Sequence, residues 1–208
     1  MKWTLLLLSL SVIVASAGHA QSVVPEPPIS LFFSATTEEV SILVCPAGDG
    51  YAIANAMGFG GYTVDATLTT TLLDYQGIPV VFFPADRIWI EVEGLIFCED
   101  GNIADHDSDF NGQTDFSLPL KGGGCAEDAE TWGMLDGQPF GGSPNPLLNL
   151  NYNSADMNGD QVVNLTDVVL FADYYGGTYG YCADFYWDGV INLSDLVLFA
   201  PHLGHICP

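Results

Sequence analysis

Two twelve-residue stretches that begin 28 residues apart carry oxygen-bearing side chains in matching positions, and this duplication constrains the fold more than any other feature. The first reads DMNGDQVVNLTD (residues 156–167) and the second reads DFYWDGVINLSD (residues 184–195). Both lead into the same four residues, V-L-F-A. A twelve-residue loop with this spacing can wrap hard oxygen ligands around a calcium ion. The repeat therefore predicts two calcium loops, each followed by a helix.

Loops of this kind use side-chain oxygens at positions 1, 3, 5, 9 and 12 and a backbone carbonyl at position 7, with position 9 often acting through water. The ligands predicted in the first loop are Asp156, Asn158, Asp160, the Val162 carbonyl, Asn164 and Asp167. Those predicted in the second loop are Asp184, Asp188, the Val190 carbonyl, Asn192 and Asp195.

Each loop departs from the pattern at one position. Position 3 of the second loop is Tyr186, a phenol that does not replace Asn or Asp as a calcium ligand at neutral pH. Position 6 of the first loop is Gln161, where glycine normally makes the sharp turn, whereas the second loop keeps Gly189. We expect two calcium ions, with the first site stronger because its ligand set is fuller. The alternative is that the same residues only form turns that cap two helices, without metal.

Apolar residues after each loop predict short helices at about residues 165–175 and 193–200, and polar coil precedes both loops. A loop followed by one helix, duplicated and closed by Asp rather than Glu, resembles the type I dockerin domain over residues 154–208. The resemblance implies that the side-chain ligands named above hold calcium. It also implies docking onto a cohesin-like partner within an extracellular, often polysaccharide-degrading, complex. Positions 10 and 11, which often carry a polar pair in dockerins, are Leu165-Thr166 and Leu193-Ser194 here.

Both predicted helices are apolar nearly all round, so each must be covered on more than one side. Two short helices can cover only one side of each other. The remaining cover is either a protein partner or the chain's own β region, and Phe171 and Phe199 are the residues that distinguish these possibilities.

Residues 30–153 carry short, alternating apolar stretches separated by Gly, Pro, Asn and Asp, which is typical of an antiparallel β-sandwich. Within them, DYQGIPV (residues 74–80) and DSDFNGQTDFSL (residues 107–118) resemble the bacterial immunoglobulin-like domains of the invasin and intimin type. That resemblance implies a spacer or adhesive module without catalysis. The predicted fold is an all-β immunoglobulin-like sandwich followed by a small helical dockerin-like domain with two calcium loops.

The first twenty residues have one Lys, an apolar run and small residues, which predicts a secretory signal peptide (1–20) followed by a Pro-rich spacer (21–29). The apolar run is shorter than the ~20 residues that a membrane span needs. We therefore expect a secreted, extracellular or cell-surface protein. The net charge is −23, and Arg87 and Lys121 are the only basic residues after Lys2. Such a chain repels nucleic acid and anionic membranes.

Five cysteines in an exported chain predict disulfides and one cysteine left over. We expect Cys98–Cys125 in the β region and Cys182–Cys207 in the loop–helix region, although spacing alone does not establish connectivity. Cys45 would then be free or paired between chains.

Three functions are compatible with these features. The first is a secreted, non-catalytic calcium-binding module that docks to an extracellular partner. The second is a matrix or surface structural protein whose dockerin-like end packs on its own sandwich, and the third is a dockerin-borne hydrolase. No acid pair or nucleophile motif is singled out for catalysis, so we expect no enzyme activity. His202 and His205, three residues apart, could hold a metal or belong to a solvated tail.

Overall fold

The computed structural model describes residue 25, residues 30–140 and residues 150–208. The predicted signal peptide lies outside the described residues, and so does the spacer apart from Pro25. The described part of the chain is mostly β-sheet with two short α-helices, which is consistent with a β-sandwich. Among these residues no helix has the length and apolar character needed to cross a bilayer.

The described residues form thirteen strands and two α-helices. The strands are β1 (Leu31–Ser34), β2 (Val40–Val44), β3 (Ala56–Gly58), β4 (Tyr62–Val64), β5 (Leu68–Thr71), β6 (Ile88–Val92), β7 (Leu95–Phe97), β8 (Gln113–Phe116), β9 (Gly122–Gly124), β10 (Ala126–Ala129), β11 (Thr131–Leu135), β12 (Gln138–Pro139) and β13 (Leu150–Ser154). The helices are α1 (Leu165–Tyr174) and α2 (Leu193–Phe199). Both helices begin where the sequence predicts, because each is capped by the loop before it.

The largest sheet has the strand order β10-β13-β2-β3-β4, and smaller sheets have the orders β1-β5-β8, β12-β11-β6 and β7-β9. Strand pairs are antiparallel except that of β13 with β2, where Leu150 lies opposite Val40 and Ser154 opposite Val44. The expectation of an antiparallel sandwich is therefore wrong at this pair. Parallel neighbours need a long crossover connection, and the chain between β2 and β13 provides it.

The predicted strand alternation is confirmed in β6, where Ile88, Ile90 and Val92 are buried while Glu91 is exposed. Such alternation places one face of the strand in the core. A large core of buried side chains from β2, β5, β6, β8, β11 and β13 lies inside this β region. Burial of that apolar surface is the main force that stabilises the sandwich.

A second core joins the loop–helix repeat to the β region. Leu43 and Cys45, on β2 and directly after it, pack in one buried cluster with Phe171, Phe185 and Phe199. The rings of Phe171 and Phe199 stack with centroids 5.2 Å apart. The inner faces of the helices are thus covered by each other and by the protein's own β2 end. The predicted boundary between residues 153 and 154 falls inside β13.

The predicted disulfide pairing is wrong, because the disulfides are Cys98–Cys207 and Cys125–Cys182. The antiparallel register of β7 with β9 explains why Cys98 and Cys125 do not pair. It places Cys98 beside Lys121 and Cys125 beside Gly94, at opposite ends of a three-residue ladder. Both disulfides instead tie the β region to the repeat, and two disulfides are compatible with a secreted protein. Cys45 is free and buried.

Candidate metal centre

The two loops share one hydrogen-bond pattern, beginning with the carboxylate at position 1. In each loop this carboxylate accepts hydrogen bonds from the backbone N–H groups at positions 5 and 6. The N···O distances to Asp156 are 3.1 and 2.7 Å, and those to Asp184 are 3.2 and 2.8 Å. The close match means that Gln161 and Gly189, at position 6, hold the chain in the same way.

The carboxylate at position 12 closes each loop from the first turn of the helix. Asp167 accepts from the N–H groups at positions 3 and 9 at 3.3 and 2.9 Å, and Asp195 does so at 2.9 and 2.8 Å. Asn164 and Asn192, at position 9, accept from the N–H at position 11 and donate to the carbonyl at position 7. A capping box therefore starts α1 and α2.

The backbone of both loops turns through the left-handed region at positions 4 and 6. In the first loop these are Gly159 (φ +72°) and Gln161 (φ +69°), and in the second Trp187 (φ +49°) and Gly189 (φ +82°). Each loop therefore has one glycine and one side-chain-bearing residue in this region, which disfavours L residues. Gln161 is held there in part by a 3.0 Å hydrogen bond from its Nε2 to the Phe97 carbonyl.

The loops bury negative charge without a basic neighbour. At each end of each loop the aspartate is fully buried, with none of its surface exposed; these residues are Asp156, Asp167, Asp184 and Asp195. The ion pairs of the described residues involve none of them, and Arg87 pairs with Asp136 instead. Buried charges are normally paired or bound to a metal, since an uncompensated buried ion costs several kcal/mol.

Local electrostatics reflect this burial. Burial raises the pKa of Asp156 above its ordinary value, and the nearby carboxylates of Asp167 and Asp160 raise it further. Burial also raises the pKa of Asp184, with Asp195 adding to the rise. Backbone N–H hydrogen bonds oppose both shifts without cancelling them. Both position 1 carboxylates are thus destabilised as anions by their surroundings.

Of the remaining predicted ligands, Asn158 and Asp160 are exposed, and Nδ2 of Asn158 donates to Oδ2 of Asp160 at 3.0 Å. Neither loop brings oxygens from three different carboxylates within 4.8 Å of one another among the described residues. Each loop must therefore contract if its carboxylates are to share one cation.

Sequence reasoning missed several side chains that contact the loops. Tyr179 donates from its hydroxyl to Oδ2 of Asp184 at 3.0 Å, and Asn153 donates from Nδ2 to the Asp184 carbonyl at 3.0 Å. Burial raises the pKa of Tyr179, so this phenol stays protonated and remains a donor. The ring of Tyr186 lies against Gly61 in the β3–β4 turn. The contacts of Asn153 and Tyr179 come from outside the two loops, so no periodic signal marks them, whereas Tyr186 is itself position 3 of the second loop.

The outer faces of the two helices expose equivalent apolar residues. Leu165 and Leu193, at position 10 of the loops, are 79% and 65% exposed. Val169 and Val197, again 28 residues apart, are 60% and 68% exposed. The repeat thus presents one apolar pattern twice on its surface.

A scan against protein-family models found no match to this chain, and searches of curated proteins and of solved structures found none either.

Proposed function

We propose that the chain is a secreted, non-catalytic calcium-binding protein whose two loops each hold one calcium ion. The observation that carries the proposal is the burial of an aspartate at both ends of each loop, with no basic partner among the described residues. Every donor in the set is a hard oxygen, which is the ligand type calcium prefers. A divalent ion would compensate the buried charge and cross-link the start of each loop to the helix that follows.

The loops are expected to differ in affinity. In the first, Asn158 and Asp160 can add side-chain oxygens to the buried pair Asp156 and Asp167. In the second, Tyr186 occupies position 3 and its ring lies against Gly61. The second site therefore has one protein oxygen fewer, and we expect its dissociation constant to be the higher of the two.

The docking role follows from the outer helix faces. Leu165 with Val169 on α1, and Leu193 with Val197 on α2, form two equivalent exposed apolar pairs that are repeated with the loops, as a dockerin-like docking face would be. We propose that this surface binds an extracellular protein partner, such as a cohesin-like module of a cell-surface or polysaccharide-degrading complex. Contiguous exposed apolar patches mark protein-binding surfaces, and each of these pairs lies one helical turn apart on a single helix face. The β region would then serve as an immunoglobulin-like spacer.

A second candidate is a matrix or surface structural protein whose dockerin-like end is a fixed part of the molecule. The shared core of Leu43, Phe171 and Phe199 favours it, because a docking domain does not need to pack against the β region of its own chain. The disulfides Cys98–Cys207 and Cys125–Cys182 favour it for the same reason. A dockerin-borne hydrolase has no specific supporting observation.

Calcium-dependent capture of secreted proteins separates these candidates. The immobilised chain is exposed to culture supernatant, once with calcium and once with a chelator. The test variant is the double substitution Leu165→Glu and Leu193→Glu. A docking protein captures a defined partner only with calcium, and the variant loses the partner while its calcium binding is retained. Leu118→Glu is the matched control, since Leu118 is 57% exposed but lies outside the repeat. If calcium raises stability but no partner is captured, the structural role is supported instead.

A further inference from the structure

A cluster of side chains that could hold a metal ion lies beside the first loop and uses none of the predicted calcium ligands. Cys45, Asp49 and His202 each place one ligand atom within 4.8 Å of the others, and they form the only such group among the described residues. Cys45 directly follows β2, Asp49 lies in the turn after it, and His202 lies just beyond α2. The fold thus brings residues from near both ends of the sequence together beside the second core, which contains Cys45.

Two histidine nitrogens in this cluster have no hydrogen-bond partner. Nδ1 of His202 and Nδ1 of His205 are both buried and unsatisfied. Each lies 3.3 Å from the same atom, Oδ1 of Asp49. The two nitrogens thus share one carboxylate oxygen that neither meets in good hydrogen-bond geometry, and a buried polar group without a well-aligned partner costs about 1–3 kcal/mol. The His202 side chain is only 9% exposed, so water does not readily satisfy it.

The spacing of these atoms fits tetrahedral coordination. Nitrogen and oxygen ligands about 2.1 Å from a zinc ion stand roughly 3.4 Å apart in a tetrahedron. The distances from Asp49 Oδ1 to the two histidine nitrogens match that edge. The thiol of Cys45 lies within 4.8 Å of Asp49 and His202, and a sulfur ligand needs an edge of about 3.6 Å. A contraction of about 1 Å brings Cys45, Asp49 and His202 to these distances, and His205, which lies outside their 4.8 Å group, must move further to complete the tetrahedron.

We propose that Cys45, Asp49 and His202 bind a zinc ion, with His205 as the fourth ligand. A thiolate with imidazole nitrogens selects a borderline metal such as zinc over calcium. The site also gives the unpaired cysteine a role, because Cys45 is fully buried and cannot reach a second chain. Asp49 is half exposed and provides the entry path.

The surrounding backbone holds the ligands in place. The Gly48 N–H donates to the Cys45 carbonyl at 2.9 Å and closes the turn that carries Asp49. The Val163 N–H donates to the His205 carbonyl at 2.9 Å, and Cys98–Cys207 anchors the chain two residues later. Zinc would therefore cross-link the end of β2 to the segment beyond α2, which also hydrogen-bonds to the first loop.

Titration of the disulfide-intact secreted chain with Co²⁺, in excess calcium, tests the proposal. Co²⁺ bound to a thiolate gives sulfur-to-metal charge-transfer absorption, which the all-oxygen loops cannot produce. We expect this band with the unaltered chain, its loss on adding Zn²⁺, and its absence in Cys45→Ala. His202→Gln should weaken Co²⁺ binding about 100-fold or more, since even outer partners of metal ligands contribute about 10- to 100-fold.

His106→Gln is the matched control, because His106 is half exposed and lies outside the cluster. It should bind Co²⁺ as the unaltered chain does. The proposal is overturned if the unaltered chain shows no thiolate band, or if His202→Gln and His106→Gln bind Co²⁺ equally well. The His202 variant keeps the test decisive if Cys45→Ala does not fold.

Discussion

Replacing Phe171 with alanine tests whether the repeat and the β region share one core. Phe171 is 4% exposed and stacks on Phe199 at 5.2 Å and on Phe185 at 6.0 Å. Truncation removes roughly 150 Å² of buried apolar surface, worth about 4 kcal/mol at 25 cal/mol per Å². Measured Phe→Ala losses of about 3–5 kcal/mol in protein cores agree with this figure. We expect Phe171→Ala to lower the free energy of unfolding by that amount.

Urea denaturation followed by far-ultraviolet circular dichroism and by tryptophan fluorescence measures the effect. Because Leu43 of β2 packs in the same cluster, both signals should shift together to lower urea. Val169→Ala on the same helix is the control, since Val169 is 60% exposed and should change stability by less than about 0.5 kcal/mol. Equal effects of the two substitutions, or loss of the helical signal alone, would refute the shared core.

Four further changes probe the loops and their links to the β region. A Cβ at Gly123 would lie 1.9 Å from a carboxylate oxygen of Asp156, at position 1 of the first loop. Gly123→Ala should therefore weaken calcium binding by the first loop by about 1–3 kcal/mol, measured by calorimetry, and leave binding by the second loop unchanged. Gly189→Ala should lower the free energy of unfolding by about 1–2 kcal/mol in urea melts, because alanine is strained in the left-handed region. Gln161→Gly should change it little. The relief of backbone strain and the loss of the Gln161 side-chain hydrogen bond are each about 1 kcal/mol and have opposite signs. Removing Cys125–Cys182, which spans 57 residues, should cost about 4 kcal/mol in the same melts.

The sequence predicts well those features that depend on neighbouring residues. Both helices begin at the predicted leucines, Leu165 and Leu193, because each capping box lies within four residues of chain. The alternation in β6 is equally local, since strand geometry sends successive side chains to opposite faces. Gln161 adopts the left-handed turn that its loop position requires, despite its side chain.

Features that depend on distant pairing could not be read from the sequence. The parallel pairing of β13 with β2 joins segments about a hundred residues apart, and no local pattern encodes it. The same is true of the disulfides, which depend on how the repeat packs against the β region. Cys45 and His202 are brought together only by this arrangement, so the histidine spacing alone gives no indication of a cysteine ligand.

Calcium titration of the disulfide-intact secreted chain tests the central claim most directly. Calorimetry should show two binding events, with Asp167→Asn removing the tighter and Asp195→Asn the weaker. Calcium at one hundred times the dissociation constant of a site should add ~2.7 kcal/mol to the free energy of unfolding. No binding heat, together with a melting temperature unchanged between calcium and chelator, would contradict the account and leave the repeat as a pair of capped helices.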